Sequence, residues 1–176
     1  MERPLHSLLE DLRLPGHRAV AEHWLALRAA AGGGIPPLGA IDPMRFPKAL
    51  PDIWIVDAEA DGRFRFRLCG EALVAWYGVN PKGRLYDDIF PASVMPQVVA
   101  ESRRILATPA IGYQKLRSQV ADDHVPAAYE RLVVPLAGED GRPRHLLGVS
   151  RFRSHADPPP RQTPEPEFSY WYDIPA

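Results

Sequence analysis

The residues best suited to chemistry in this chain are six histidines, one cysteine, two acidic pairs and a stripe of arginines. His6, His17, His23, His124, His145 and His155 are scattered. His17 and His23 are six residues apart, poor spacing for two ligands on one helix face, and no H-E-x-x-H pair occurs. Asp122-Asp123-His124 has the residue types of a metal fragment but reads more simply as a solvated loop between strands. Asp87-Asp88 invites a general-acid reading; carboxylates at the start of a helical turn more often cap it and satisfy its dipole. No Ser-His-Asp or Cys-His set has supporting context such as a G-x-S-x-G elbow. Gly32-Gly33-Gly34 is followed by prolines and not by Gly-Lys-Ser/Thr, which excludes a phosphate loop. Arg63, Arg65 and Arg67 are candidates for anion binding. The simpler alternative is an outer sheet face, solvated or paired with a covering helix, for which Glu22 is a candidate partner. No catalytic residue and no metal site are expected.

The elements that must position these residues follow from spacing. Leu5, Leu8, Leu9 and Leu12 keep helical spacing up to Pro15-Gly16. A second helix is predicted over His17 to Ala31, with Val20, Trp24, Leu27 and Ala31 in one stripe, stopped by the glycine run. A proline-rich stretch, residues 36–51, leads into a strand over Ile53 to Asp57. Asp61-Gly62 suits the turn into a second strand, Arg63 to Cys69. There Phe64, Phe66 and Leu68 face one way and the arginines the other, the mark of a half-buried antiparallel strand. Short helical pieces are predicted at Glu71 to Tyr77 and near Tyr86 to Pro91, then a longer helix from Ser93 to Ala107 with Ser93 as N-cap. Three strands follow, at about 111–118, 127–137 and 144–153. Helices between the second and third strands of a five-stranded antiparallel sheet give an α+β layer.

Composition bounds the rest. The 176 residues suit one domain with extensions: a helical N-terminus over 1–35, a core domain over 36–153 and a Pro-rich, aromatic tail over 154–176. Hydrophobic residues make up 45% and charged residues 24%, which is globular. A formal net charge of -1 with interspersed signs is unlike the basic footprint of a nucleic-acid binder. Cys69 is the single cysteine, so no intrachain disulfide forms. No secretory signal is recognisable, and no window reaches the roughly 18 apolar residues of a membrane span. A cytoplasmic location is expected.

Leu50-Pro51-Asp52-Ile53-Trp54-Ile55-Val56-Asp57, then Phe64-Arg65-Phe66-Arg67-Leu68-Cys69-Gly70, Gly78, Gly83 and Tyr86 to Phe90 occur in an order that resembles the PAS domain superfamily. Tyr129 to Leu136 and Asp140-Gly141 extend the match, which covers about Ala21 to Phe152. Within the superfamily the chain is similar to bacterial, mostly proteobacterial, stand-alone PAS-like proteins. The resemblance implies a five-stranded antiparallel sheet with helices across one face and the N-terminal helices flanking. It also implies a non-catalytic sensory or protein-interaction module that binds a small ligand between sheet and helices or signals through a dimer contact. Flavin-adduct relatives carry their cysteine in a short helix, whereas Cys69 ends a strand and reads as a small apolar residue. Haem-binding relatives use a histidine on the long central helix, and residues 93–107 contain none. Haem and flavin-adduct chemistry are therefore disfavoured, and the ligand stays unassigned.

On that fold, Trp54, Phe66, Leu68, Trp76, Tyr77, Tyr86, Phe90, Tyr113 and Tyr129 fall where sheet and central helices meet, either lining a ligand pocket or filling the core. The stripe Val20, Trp24, Leu27 and Ala31 either covers the sheet or pairs with a second copy as a homodimer. The aromatic tail, Phe168 to Tyr172, is expected to dock on the body, on a dimer mate or on another protein, since aromatics are unusual in disordered tails. Output is expected through a signalling partner in trans, with no nucleic-acid or membrane partner. The rival readings are a ligand-free adaptor and a small α+β enzyme with a cleft site.

Overall fold

The alternating segment Phe64–Cys69 pairs with Ile53–Ala58 as the expected hairpin and forms one end of a seven-stranded sheet. The computed structural model describes residues 1–116, 128–153 and 168–175. The strands are β1 (Glu2–Pro4), β2 (Ile53–Ala58), β3 (Phe64–Cys69), β4 (Ala110–Leu116), β5 (Ala128–Ala137), β6 (Pro143–Arg153) and β7 (Phe168–Asp173). The helices are α1 (Leu8–Asp11), α2 (Pro15–Ala30), α3 (Glu71–Tyr77) and α4 (Met95–Ala107). The strand order is β1-β7-β4-β5-β6-β2-β3, antiparallel throughout except for the parallel pair β1/β7. Short 3-10 turns fill much of the proline-rich stretch ahead of β2.

The five expected strands are β2 to β6, contiguous in the sheet, and the α+β class holds. Two more strands flank them. The aromatic tail docks on the body, as β7 along β4, and β7 in turn carries β1. The physical reason lies in the tail's own alternation. Trp171 faces α4 and Tyr172 faces the N-terminal helices, so one short strand contributes to both cores while closing the unpaired edge of β4. The Tyr172 hydroxyl donates to Asp11 Oδ2 at 2.7 Å, and the Arg104 guanidinium lies 4.3 Å from the centre of the Trp171 ring.

The sheet is covered on both faces. On one side α1, α2 and Phe46 pack over Ile53, Ile55, Ile111, Leu132, Val134, Leu147 and Val149. On the other, α3 and α4 pack over Trp54, Val56, Phe64, Phe66, Val133 and Leu146. Of the N-terminal stripe, Val20 and Trp24 are buried inside this chain, and the Trp24 indole N–H donates to the Pro135 carbonyl at 2.8 Å. These two residues thus take the sheet-covering role. Leu27 is half-buried and Ala31 exposed. The predicted cap at Ser93 is replaced: α4 begins after Val94, with Pro96 in its first turn and no side-chain cap. Asp122-Asp123-His124, His155 and Pro158 to Pro166 lie outside the described residues.

His17 anchors α2. It is 2% exposed, and its Nε2–H donates to the Glu130 carbonyl on β5 at 3.1 Å. Burial, with a smaller contribution from the Arg151 charge, lowers its pKa from 6.5 to about 4. Its place in the first turn of α2 adds the positive end of the helix dipole to the forces against charging.

Two outcomes follow from this packing. Trp171→Ala, which empties a nearly buried indole site, should cost about 3–5 kcal/mol in urea denaturation. The neutral His17 contributes stability that is fully present above pH 6.5 and is lost as pH falls from 6.5 towards about 4, by ~3 kcal/mol in total. His17→Gln, which keeps a neutral donor, should flatten that part of the stability–pH curve.

Candidate functional site

The layer between the sheet and α3/α4 holds most of the predicted ligand residues. Aromatic rings run through it in mutual contact. Phe64 stacks on Tyr86 at 5.3 Å, Tyr86 meets Phe66 at 5.2 Å and Phe90 at 5.1 Å, and Tyr77 meets Phe90 edge-on at 5.9 Å. Trp76 stacks on Phe152 at 5.2 Å, and Tyr129 approaches the same ring at 6.4 Å. Trp54, Phe66, Trp76, Tyr77, Tyr86, Phe90 and Tyr129 are thus brought together on one side of the sheet.

Leu68 and Tyr113 are not. In the β2/β3 register Ile55 faces Leu68 while Val56 faces Phe66, so Arg67 is an extra residue in β3. This bulge reverses the alternation after Phe66 and turns Leu68 outward, where it is 37% exposed. Cys69 takes the inward position instead, half-buried at the rim, and burial pushes its thiol up to about 12. Tyr113 sits on β4 one residue out of phase with this layer and faces the N-terminal helices. There it donates to the Glu130 carboxylate and meets His17 at 6.2 Å.

The arginine stripe is tied to acids of its own hairpin. Arg63 pairs with Asp61, Arg65 with Glu59, and Arg67 with both Asp57 oxygens at 2.9 Å. Glu22, the candidate partner from α2, pairs with Arg18 instead. Asp88 Oδ2 accepts from the Leu85 amide at 2.9 Å, the capping role expected of that acidic pair. Among the described residues no cluster of metal-ligating side chains occurs.

Sequence reasoning missed the polar heart of the layer. Arg131 projects from β5 towards α4, its side chain 15% exposed. Its Nε and one terminal nitrogen donate to Gln114 Oε1 on β4, at 3.1 and 2.8 Å. It also forms an ion pair with Glu101 on α4. Gln114 donates to Glu101 Oε1 at 3.1 Å and to Ser169 Oγ on β7 at 3.0 Å. The Tyr129 ring lies 5.4 Å from the guanidinium. Beside this cluster Tyr86 is fully buried, its hydroxyl 3.3 Å from Ser102 Oγ, and burial raises its pKa to about 12. Burial likewise raises the Tyr77 phenol. The Trp76 indole N–H is buried with no partner among the described residues. One signal was available: in Tyr129-Glu130-Arg131-Leu132-Val133, period two puts Arg131 on the same face as Tyr129 and Val133.

Two cross-strand Trp–Gly pairs set the floor of the layer. Trp54 lies directly opposite Gly148, and Trp171 opposite Gly112. A β-carbon on Gly148 would stand 2.0 Å from the Trp54 ring, so only glycine lets the indole lie flat and donate to Ser150 Oγ at 2.9 Å. An open groove of about 800 Å³ lies elsewhere, beside β1, lined by Arg3, Leu5, Leu9, Leu25 and Pro175; it contains none of the predicted ligand residues.

The family model of the PAS domain matches residues 12–151, and the chain belongs to the PAS domain family. The chain is similar to the crystal structure of the PAS domain of a protein from Colwellia psychrerythraea, with 18% identity, a TM-score of 0.44, and coverage of 61% of this chain and 93% of that one. It is similar to the light-state structure of the blue-light photoreceptor Aureochrome1 LOV at 18% identity and TM-score 0.43, covering 61% of this chain and 85% of that one. For the Rhodobacter sphaeroides LOV protein the values are 18% identity, TM-score 0.40, and coverage of 66% and 70%. No curated protein matches the chain. Among the described residues no helix is long and apolar enough to cross a membrane.

Gly148→Ala should force the Trp54 indole from its seat and cost about 1–3 kcal/mol, measured as a lower urea midpoint.

Proposed function

We propose that this PAS domain is a non-catalytic sensory or protein-interaction module. It binds a small molecule between the sheet and helices α3 and α4 and signals to a protein partner in trans, in the cytoplasm. The observation that supports this reading is the Arg131–Glu101–Gln114 cluster inside an aromatic frame. Burying an ion pair where apolar side chains would pack is often no gain in stability. A few polar groups converging in an apolar layer are what fixes the orientation of a small ligand.

The same cluster supplies a route to the surface. Glu101, Arg104 and Ile105 share one face of α4, and all three bear on β4 or β7. Glu101 reaches Ser169 through Gln114, Arg104 covers Trp171, and Ile105 packs in the same cluster as Trp171. A ligand that moves α4 therefore moves the C-terminal strand, provided it binds the two arrangements with different affinity.

An adaptor that binds only proteins would share this surface. The ring-to-ring contacts that fill the layer favour that second reading. Native mass spectrometry and a visible spectrum of freshly purified protein separate the two. A retained small molecule of defined mass is the expected result. Apo mass alone, with no saturable small-molecule binding, would leave the adaptor.

A further inference from the structure

Glu101 is a carboxylate that this chain sets on its own buried guanidinium. We propose that Arg131 is the recognition residue for a small carboxylic acid with a planar apolar body, and that Glu101 occupies the guanidinium when the acid is absent. The proposal rests on the ligand-binding reading above and names the ligand's class.

Three features carry it. First, the guanidinium is positioned by the sheet and not by its counter-ion. Gln114 on the neighbouring strand holds both Nε and a terminal nitrogen, so Arg131 stays aimed at the layer whether or not Glu101 is in place. Second, Glu101 belongs to a different layer and has somewhere to go. It lies on α4, and Gln97, one turn earlier, already donates to its Oε1 at 3.0 Å on the exposed side. Exchange thus requires a side-chain rotation on α4 and no break in the sheet. Third, the surroundings suit an aromatic acid. Tyr129 lies beside the guanidinium, the rings of Tyr77, Phe90, Phe152 and Trp76 pack against one another as an apolar wall, and the Trp76 N–H, without a partner among the described residues, offers a donor to an acceptor on the ligand body.

Charge selects a monoanion. One guanidinium that neutralises one carboxylate in a desolvated layer leaves a second negative charge uncompensated, which disfavours a phosphate dianion. The guanidinium favours a carboxylate, and Glu101 already places one carboxylate oxygen on its terminal nitrogen.

The test titrates benzoate, with benzyl alcohol as the neutral control, into the wild type and into the double variant Glu101→Gln/Arg131→Met. The double variant removes both charges together, so neither is left buried alone. Any molecule retained on purification is identified by native mass spectrometry from the same samples. Benzoate should bind the wild type at least about tenfold more tightly than benzyl alcohol, and the double variant should lose that preference. A retained molecule should carry an acidic group and be lost from the variant. If the double variant fails to fold, Arg131→Lys, which keeps the charge and loses the fork, should weaken benzoate binding about tenfold. Equal binding of the two probes, unchanged benzoate binding in the variants, or a retained molecule without an acidic group overturns the inference and leaves the ligand-binding reading standing. Absence of both probe binding and any retained molecule overturns both.

Discussion

Both layers of the molecule hang on the register of β5. Its alternate residues serve opposite cores: Leu132, Val134 and Leu136 pack beneath α1 and α2, while Tyr129, Arg131 and Val133 look towards α4. Its backbone takes part as well. The Glu130 carbonyl receives His17, and the Pro135 carbonyl receives Trp24, so α2 is hung on this strand by two direct hydrogen bonds. A one-residue slip would exchange the faces, placing Arg131 under α2 and Glu130 under α4. The hydrogen bonds from α2 and from Gln114 therefore read the same register from opposite sides of the sheet.

Much of this arrangement was legible in the chain itself, and the parts that were not share a cause. The β2/β3 hairpin, the pair of helices after it and the three long strands declare themselves through period and turn residues, which act over a few neighbours. The family signature rests on those same elements. Leu68 was assigned to the inner face because strict alternation was continued past Phe66; the bulge at Arg67 is a response to the partner strand and leaves no local mark. Tyr113 went to the wrong face because its strand's phase was set by partners on both sides, β5 and β7. The tail was recognised as aromatic and expected to dock, but its partner edge depends on β4 standing open at the end of a sheet assembled from distant segments. The Trp–Gly pairs and the Arg131 cluster are long-range in the same sense. Each joins residues that are unremarkable in sequence and acquire meaning only when the strands lie side by side.

The polar cluster also explains why the two halves of the aromatic layer differ. Around Phe64, Phe66 and Tyr86 the rings meet only one another and Phe90. Tyr129, Tyr77 and Trp76 also meet rings, but Tyr129 lies beside a charge and Trp76 carries a buried donor with no partner among the described residues. Cys69 and Leu68 fall on opposite faces of the sheet because of the bulge in β3, so a single inserted residue decides which side chain borders the layer.

The parallel pairing of β1 with β7 imposes an order of assembly. The amino group of Met1 donates to the Ser169 carbonyl at 2.8 Å, a contact across 168 residues. Among the described strands β1 has no neighbour except β7. While the chain emerges from the ribosome, residues 2–4 have no strand to join until residues 168–173 have been made and have settled on β4. The hairpins β2/β3, β4/β5 and β5/β6 contain the nearer pairings and close smaller loops, so they form the seed. Residues 2–4 are thus among the last of the described residues to find their place, and β1 serves as a latch that registers the arrival of β7.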